Sequence, residues 1–212
     1  MTFSKIDLQN KKAVFLDIDD TLYRYKKAHN IAIELCEQKL NEVENFKDEY
    51  RKYRNIITQR LKPTGACRSR LLAFMEMFED LKLDNPYSKA LYFDKFYWDN
   101  LINNIEINKD AELFIDTCVQ QKINIIITTD MLASIQIQKL DKLGVLSKIS
   151  FLVTSEQVGC EKSEPAFFKF LLNKYKLNPK DVICVGDDKL KDYDIPSSLG
   201  ITSYIVTMEN NK

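Results

Sequence analysis

Two aspartates set two positions apart, Asp17 and Asp19, close the apolar run Ala13-Val14-Phe15-Leu16, and a hydroxyl, Thr21, follows two positions further on. Crowding anions at the end of a buried strand is costly unless a cation, or a chemistry that needs them, offsets the desolvation. A carboxylate can attack a phosphoryl group and so split one hard displacement into two easier ones. A second carboxyl beside it can protonate the leaving oxygen and later deprotonate water. Asp17 suits the first role and Asp19 the second, provided that the pKa of Asp19 lies near the working pH; neighbouring negative charge helps to raise it. Thr21 supports the loop by hydrogen bonding. These acids do not fit a calcium loop of the EF-hand type, whose glycine position would fall on Leu22 and whose final glutamate would fall on Ala28.

Three later segments add complementary groups. The apolar stretch Ile123-Asn124-Ile125-Ile126-Ile127 opens into Thr128-Thr129-Asp130. Lys162 follows Ser155-Glu156-Gln157-Val158-Gly159-Cys160-Glu161, and as a point-charge ammonium it can counter both Asp17 and a phosphate. Asp181-Val182-Ile183-Cys184-Val185 runs into Gly186-Asp187-Asp188, with Asp192 close behind. Mg²⁺ favours a few hard oxygens together with water and substrate phosphate, and Asp17 with Asp187 can supply the carboxylates.

These groups need a scaffold that brings distant residues to one edge. Strand signals at 13–17, 123–128, 151–154, 182–186 and 202–206 are short and nearly continuous in apolar residues, the pattern of parallel strands covered on both faces. Helical stretches lie between the later ones. Met131 to Leu143 carries Leu132, Ile135, Ile137 and Leu140 with Gly144 as a stop, and Pro165 to Tyr175 carries Phe167, Phe168, Phe170, Leu171 and Leu172. The alternation predicts a doubly wound parallel α/β sheet, whose ligands bind beyond the carboxyl ends of the strands, where Asp17, Thr129 and Asp187 fall. Between about Arg24 and Ile107 the pattern turns helical, broken at Pro63-Thr64-Gly65 and Asn85-Pro86, and this segment reads as an inserted all-helical unit. The expected division is therefore a core of residues 1–23 and 108–212 with an insert of residues 24–107.

The four segments closely resemble the four motifs of the haloacid-dehalogenase-like (HAD) hydrolases, over roughly residues 11–22 and 109–207. The resemblance implies a Rossmann-like core with a C1-type helical cap. It implies Asp17 as nucleophile, Asp19 as proton shuttle and, through its backbone carbonyl, metal ligand, and Asp187 as direct metal ligand. Thr129 and Asp130 would hold the substrate phosphate with Lys162. Thr128 is a competing register for the hydroxyl, and Asp130 stands where the family usually has Asn. Asp188 or Asp192 would act behind the ligands or orient the lysine. The family commonly has Lys-Pro, whereas this chain has Lys162-Ser163-Glu164-Pro165. The implied activity is a Mg²⁺-dependent phosphatase acting on a small phosphorylated metabolite, nucleotides and sugar phosphates included. A phosphomutase or a low-turnover phosphoryl-binding regulatory module are the alternatives. A dehalogenase is disfavoured because a halide leaving group needs no proton from Asp19.

Composition sets the outer bounds. The 212 residues hold 31 basic and 31 acidic side chains, so no excess positive charge points to a nucleic acid polymer as partner. Five cysteines without close pairs suggest neither a disulfide framework nor a zinc site, and Cys118 and Cys184 read as core filler. No apolar run approaches a bilayer span and no signal segment opens the chain, so a cytoplasmic monomer or homodimer away from membranes is the expectation. In the insert, His29 reads as a surface or helix-start residue. Arg24, Arg68 and Arg70 could reach a substrate anion. The cluster Tyr92, Phe93, Phe96, Tyr97 and Trp98 reads as core at helical spacing.

Overall fold

The computed structural model describes residues 1–208, so the last four residues of the expected core segment lie outside the described residues. Five strands, β1 (Ala13–Leu16), β2 (Asn124–Thr129), β3 (Phe151–Thr154), β4 (Val182–Gly186) and β5 (Thr202–Ile205), form one parallel sheet in the order β3-β2-β1-β4-β5. The central strand β1 is buried at every position, as its unbroken apolar run requires. Its register pairs Leu16 with Ile127 of β2 and with Val185 of β4. The chain order reverses beside β1, which makes the carboxyl edge between β1 and β4 the natural ligand crevice.

Among the described residues nine α-helices complete the architecture: α1 (Tyr25–Lys39), α2 (Phe46–Leu61), α3 (Arg70–Asp80), α4 (Pro86–Asn103), α5 (Lys109–Gln120), α6 (Ala133–Lys142), α7 (Ser155–Val158), α8 (Pro165–Lys174) and α9 (Ile195–Ser198). Alternate strand residues face opposite layers. Leu16, Ile127 and Val185 pack with Ile115 of α5 and Leu140 of α6, whereas Phe15, Ile126 and Cys184 pack with Phe167, Phe168 and Leu171 of α8. Local chemistry sets the helix starts: Ser69 and Asn108 accept backbone N–H groups at the heads of α3 and α5, Thr154 and Gln157 form a capping box on α7, and Pro165 opens α8.

Helices α1 to α4 follow one another between β1 and α5. The chain leaves the core at Leu22 and returns at Asn108, whose N–H donates to the Leu22 carbonyl at 2.7 Å. Aromatic rings fill the interior of these helices, with Tyr50 and Phe74 centroids 5.1 Å apart and Phe74 and Phe78 5.6 Å apart, and this interior is continuous with one face of the sheet. Phe93, Tyr97 and Trp98 are buried there, but Tyr92 is exposed. Helix α2 is weakly marked in sequence because its buried stripe, Phe46, Tyr50, Tyr53 and Ile57, is half tyrosine. Ile137 and Phe170 also depart from the sequence reading, lying on the outer faces of α6 and α8. All five cysteines are free thiols, and Cys118 and Cys184 are buried. Among the described residues no helix is long and apolar enough to cross a membrane.

A short turn, Gly65–Arg68, carries the insert against α7. A Cβ on Gly65 would stand 2.7 Å from the backbone N and Cα of Glu156, an approach that only glycine permits. Gly65→Ala is expected to cost about 1–3 kcal/mol in urea unfolding, because backbone rather than a flexible side chain must yield. An unchanged midpoint would show that the insert slides on α7 freely.

Candidate active site

At the carboxyl edge of the sheet the backbone first fixes Asp17. Its N–H continues the ladder to the Val185 carbonyl at 3.0 Å, and its side chain is buried. The chain then turns tightly: Leu22 N–H reaches the Ile18 carbonyl at 2.8 Å and Asp20 adopts φ 59°. Thr21 Oγ1 donates within reach of both Asp17 Oδ2 at 3.1 Å and Asp187 Oδ1 at 3.3 Å, tying the first acidic segment to the last. One carboxylate oxygen from each of Asp17, Asp187 and Asp192 falls within 4.8 Å of the others. Asp17 and Asp187, distant in sequence, thus lie close enough to share a cation.

Lys162 is buried among these acids. Its Nζ donates to Asp17 Oδ1 at 2.5 Å and to Asp192 Oδ1 at 2.7 Å. The two residues added before Pro165 do not displace it, because Glu164 N–H closes a turn onto the Glu161 carbonyl at 2.9 Å. Burial pushes the Asp17 carboxyl well up from the ordinary range; Lys162 opposes this, and Asp192 and Asp187 add to it. Burial works against the Lys162 ammonium, but Asp17, Asp192 and Asp130 outweigh it and hold its pKa well up. At the mouth, desolvation with Asp192 and Asp20 nearby raises Asp187 to about 6. Asp192 needs the bare backbone of Gly186, since a Cβ there would lie 2.2 Å from its Cγ. Asp188 caps the following π-helical turn, Lys189–Asp194, through Leu190 and Lys191 N–H groups.

Asp19 has a different environment. Lys139 Nζ donates to its Oδ1 at 2.7 Å, Gln136 Nε2 to its Oδ2 at 3.3 Å, and Tyr23 Oη to its Oδ1. Burial alone would raise its pKa, yet Lys139, Tyr23 and Gln136 together bring it below the ordinary value. This reverses the direction expected from neighbouring negative charge, because a cation from α6 intervenes. Lys139 is wholly buried under the rings of Tyr23, Tyr25 and Trp98, with centroids 5.5–5.6 Å from its Nζ.

The hydroxyl pair divides between faces. Thr129 Oγ1 accepts from Gln136 Nε2 at 2.6 Å and so belongs to the Asp19 network. The register Leu16↔Ile127, carried one residue further, sets Thr128 beside Asp17, and its Oγ1 is buried without a hydrogen-bond partner. Asp130, expected at the substrate phosphate, instead accepts from Lys162 N–H at 2.7 Å and faces Lys191 Nζ at 2.9 Å, so its side chain fixes the lysine loop. Close by, Arg68 of the insert donates through Nε to buried Glu161 at 2.6 Å. Sequence reasoning missed Lys139 and Gln136. The available signal was positional: both lie on the apolar face of α6 defined by Ile135 and Leu140, where an unpartnered lysine would be untenable.

A parallel α/β sheet with a helical insert and an acid-lysine centre at its carboxyl edge defines a hydrolase class, and a family comparison reaches the same class independently. Residues 11–194 match the model of the haloacid dehalogenase-like hydrolases, and the chain belongs to that family. It is similar to a protein of Halopiger xanaduensis named ribulose-1,5-bisphosphate 5-phosphatase, with 26% identity over 91% of this chain and 83% of that one. It also resembles a mouse protein named haloacid dehalogenase-like hydrolase domain-containing protein 3, with 26% identity over 60% of this chain and 49% of the relative. Among solved structures, the 2-haloacid dehalogenase of Pseudomonas syringae pv. Tomato shares the fold with a TM-score of 0.74 at 20% identity, covering 90% of this chain and 84% of that one. The putative HAD-hydrolase YfnB of Bacillus subtilis does so with a TM-score of 0.69 at 17% identity, covering 90% and 86%.

The Lys139–Asp19 pair makes a testable contribution. Asp19 has a depressed pKa when folded, so the pair stabilises above the unfolded carboxyl value and the contribution is lost as pH falls through the folded one. Lys139→Met is expected to lose about 3 kcal/mol at neutral pH, the difference from wild type shrinking below about pH 4. A deficit that persists undiminished at about pH 3 would refute charge pairing as its cause.

Proposed function

We propose that this chain is a Mg²⁺-dependent phosphatase of small phosphorylated metabolites, in which residues 24–107 act as a cap over the site built by residues 1–23 and 108–212. The observation that carries the reading is the meeting of Asp17, Asp187 and Asp192 around one point, with Lys162 donating to the first and third. A divalent cation fits this donor set: the oxygens are hard and anionic, and the raised pKa values of Asp17 and Asp187 express negative charge that lacks full compensation. When bound, Mg²⁺ would be held by Asp17 and Asp187, with the Asp19 carbonyl by family resemblance and Asp192 close behind, and it would neutralise phosphoryl charge.

The chain's own residues account for the rest. A carboxylate oxygen of Asp17 forms a bond to phosphorus as the ester P–O bond breaks, and the departing oxygen takes the proton of the Asp19 carboxyl. Water then attacks the aspartyl-phosphate and gives its proton back to the Asp19 carboxylate, which releases phosphate and restores Asp17. The Lys139 grip favours the anionic form of Asp19 and so suits the second step in particular. We assign phosphate binding to Lys162 and the unpartnered Thr128 hydroxyl, with Thr129 supporting Asp19 through Gln136. A proton shuttle at the position of Asp19 serves an oxygen leaving group rather than a halide, which needs no proton. The relative named for 5-phosphatase action on ribulose 1,5-bisphosphate supports a small phosphorylated sugar as substrate.

Asp17→Asn is expected to lower Mg²⁺-dependent hydrolysis of p-nitrophenyl phosphate by about 10³-fold or more. A wild type that turns over no phosphomonoester, or transfers the phosphoryl group to a sugar rather than to water, would overturn the reading. The acids predict a second result. A carboxyl whose folded pKa is raised, as Asp187 is to about 6, stabilises fully below its unfolded value, and this is lost as pH rises through 6. Mg²⁺ should therefore raise the melting temperature more at about pH 7.5 than at about pH 5. Equal shifts at both values would exclude Asp187 as a ligand.

A further inference from the structure

A cavity of about 390 Å³ opens inside the helical insert, lined among others by Tyr25, His29, Asn30, Tyr50, Arg54 and Arg70. Two guanidinium groups line it with neutral hydrogen-bond partners only, and the one carboxylate on its wall, exposed Glu34, lies 3.9 Å from Lys47. Arg54 donates to the carbonyls of Cys67 at 3.3 Å and Ser69 at 2.9 Å. Arg70 donates to the Arg68 carbonyl at 3.1 Å and to Tyr25 Oη at 2.6 Å, and lies over the rings of Tyr97 and Trp98. Among the described residues neither forms an ion pair. Asp94, which feels the charge of Arg70, is engaged by the Trp98 indole and the Leu71 N–H. The rim cations Lys47 and Arg51 are already paired, with Glu37 and Asp48.

Two further observations point to a ligand. Arg70 Nε and Tyr50 Oη are buried without a hydrogen-bond partner, on residues only 8% and 4% exposed. His29, stacked on Tyr25, is held down at about 4 by burial and by Arg70 and Arg54, so it is neutral at neutral pH and adds no charge of its own to the cavity. Buried cations without counter-charge carry a desolvation cost that an anion would relieve. The cavity also adjoins the candidate active site. Asn30 lines both it and the open cleft of about 630 Å³ that contains Asp20 and Asp187. Tyr25, on its wall, lies 5.5 Å from the Lys139 ammonium that holds Asp19.

We propose that this cavity is a second anion site, which takes a phosphate or carboxylate at the far end of the same substrate whose phosphoryl group meets Asp17. The inference rests on the phosphatase reading and narrows it to doubly anionic substrates. Arg54 and Arg70 supply charge and forked donors, and Tyr50 Oη and Arg70 Nε supply the unmatched donors.

Two matched pairs test it: fructose 1,6-bisphosphate against fructose 6-phosphate for a second phosphate, and 3-phosphoglycerate against glycerol 3-phosphate for a carboxylate. In at least one pair the doubly anionic member should have a kcat/KM about tenfold higher or more, worth about 1.4 kcal/mol. Arg54→Gln and Tyr50→Phe should each pull that ratio toward one through KM, whereas Arg60→Gln, on the outer face of α2, should preserve it. Ratios near one in wild type, or ratios that survive both cavity variants, would overturn the second site and leave the phosphatase reading intact. A binding readout covers the converse case. His29 is the single histidine of the chain, so its NMR titration is unambiguous. Sulfate should raise its pKa by about one unit in wild type and not in Arg54→Gln. If no ester is hydrolysed, p-nitrophenyl phosphate included, the phosphatase reading fails and this titration still decides the anion site.

Discussion

The contact on which the rest of this structure depends is the buried ammonium of Lys162 held between Asp17 and Asp192. Without it the carboxyl edge of the sheet would bury Asp17 and Asp192 side by side with no counter-charge between them, and the burial of Asp17 would have no offset. Much of the local architecture serves that contact. Gly186 lacks a side chain so that Asp192 can approach, Asp130 takes the Lys162 N–H and so fixes the loop, and Asp188 starts the turn that delivers Asp192. The sheet brings the participants from residues far apart in the chain to a single point, which no local element could do.

A second lysine divides the labour between the paired aspartates. Asp17 and Asp19 are two residues apart, yet their protonation equilibria are displaced in opposite directions, one by burial among acids and the other by Lys139 with Tyr23 and Gln136. Opposed environments of this kind are how adjacent carboxyls take on distinct chemical duties. Because the two lysines enter from different elements, the loop after α7 and the helix α6, each carboxyl can be tuned without disturbing the other.

The parts of this arrangement that were legible in sequence are those set by local pattern. Strand ends betrayed themselves as apolar runs closing in acid or hydroxyl, and the parallel order followed from alternation with helices, so Asp17, Lys162 and Asp187 could be named before their distances were known. Three features were not legible. Whether Thr128 or Thr129 stands beside Asp17 depends on interstrand register, which a single strand does not encode. The partner of Asp19 comes from α6, where Lys139 looks like one more surface lysine unless its position on the apolar stripe is weighed. The polar cavity of the insert arises from α1, α2 and α3 together, and tyrosines obscure the stripe of α2.

The ion pair between Arg68 and Glu161 has a consequence for motion. Glu161 is buried and immediately precedes Lys162, while Arg68 also approaches Asp130, whose carboxylate holds the Lys162 backbone. Any swing of the helical roof that withdraws Arg68 must strip charge from the peptide carrying the central ammonium. The turn of the helical insert is thereby tied to the charge balance beneath it, since moving Arg68 would leave Glu161 and Asp130 short of a cation beside Lys162.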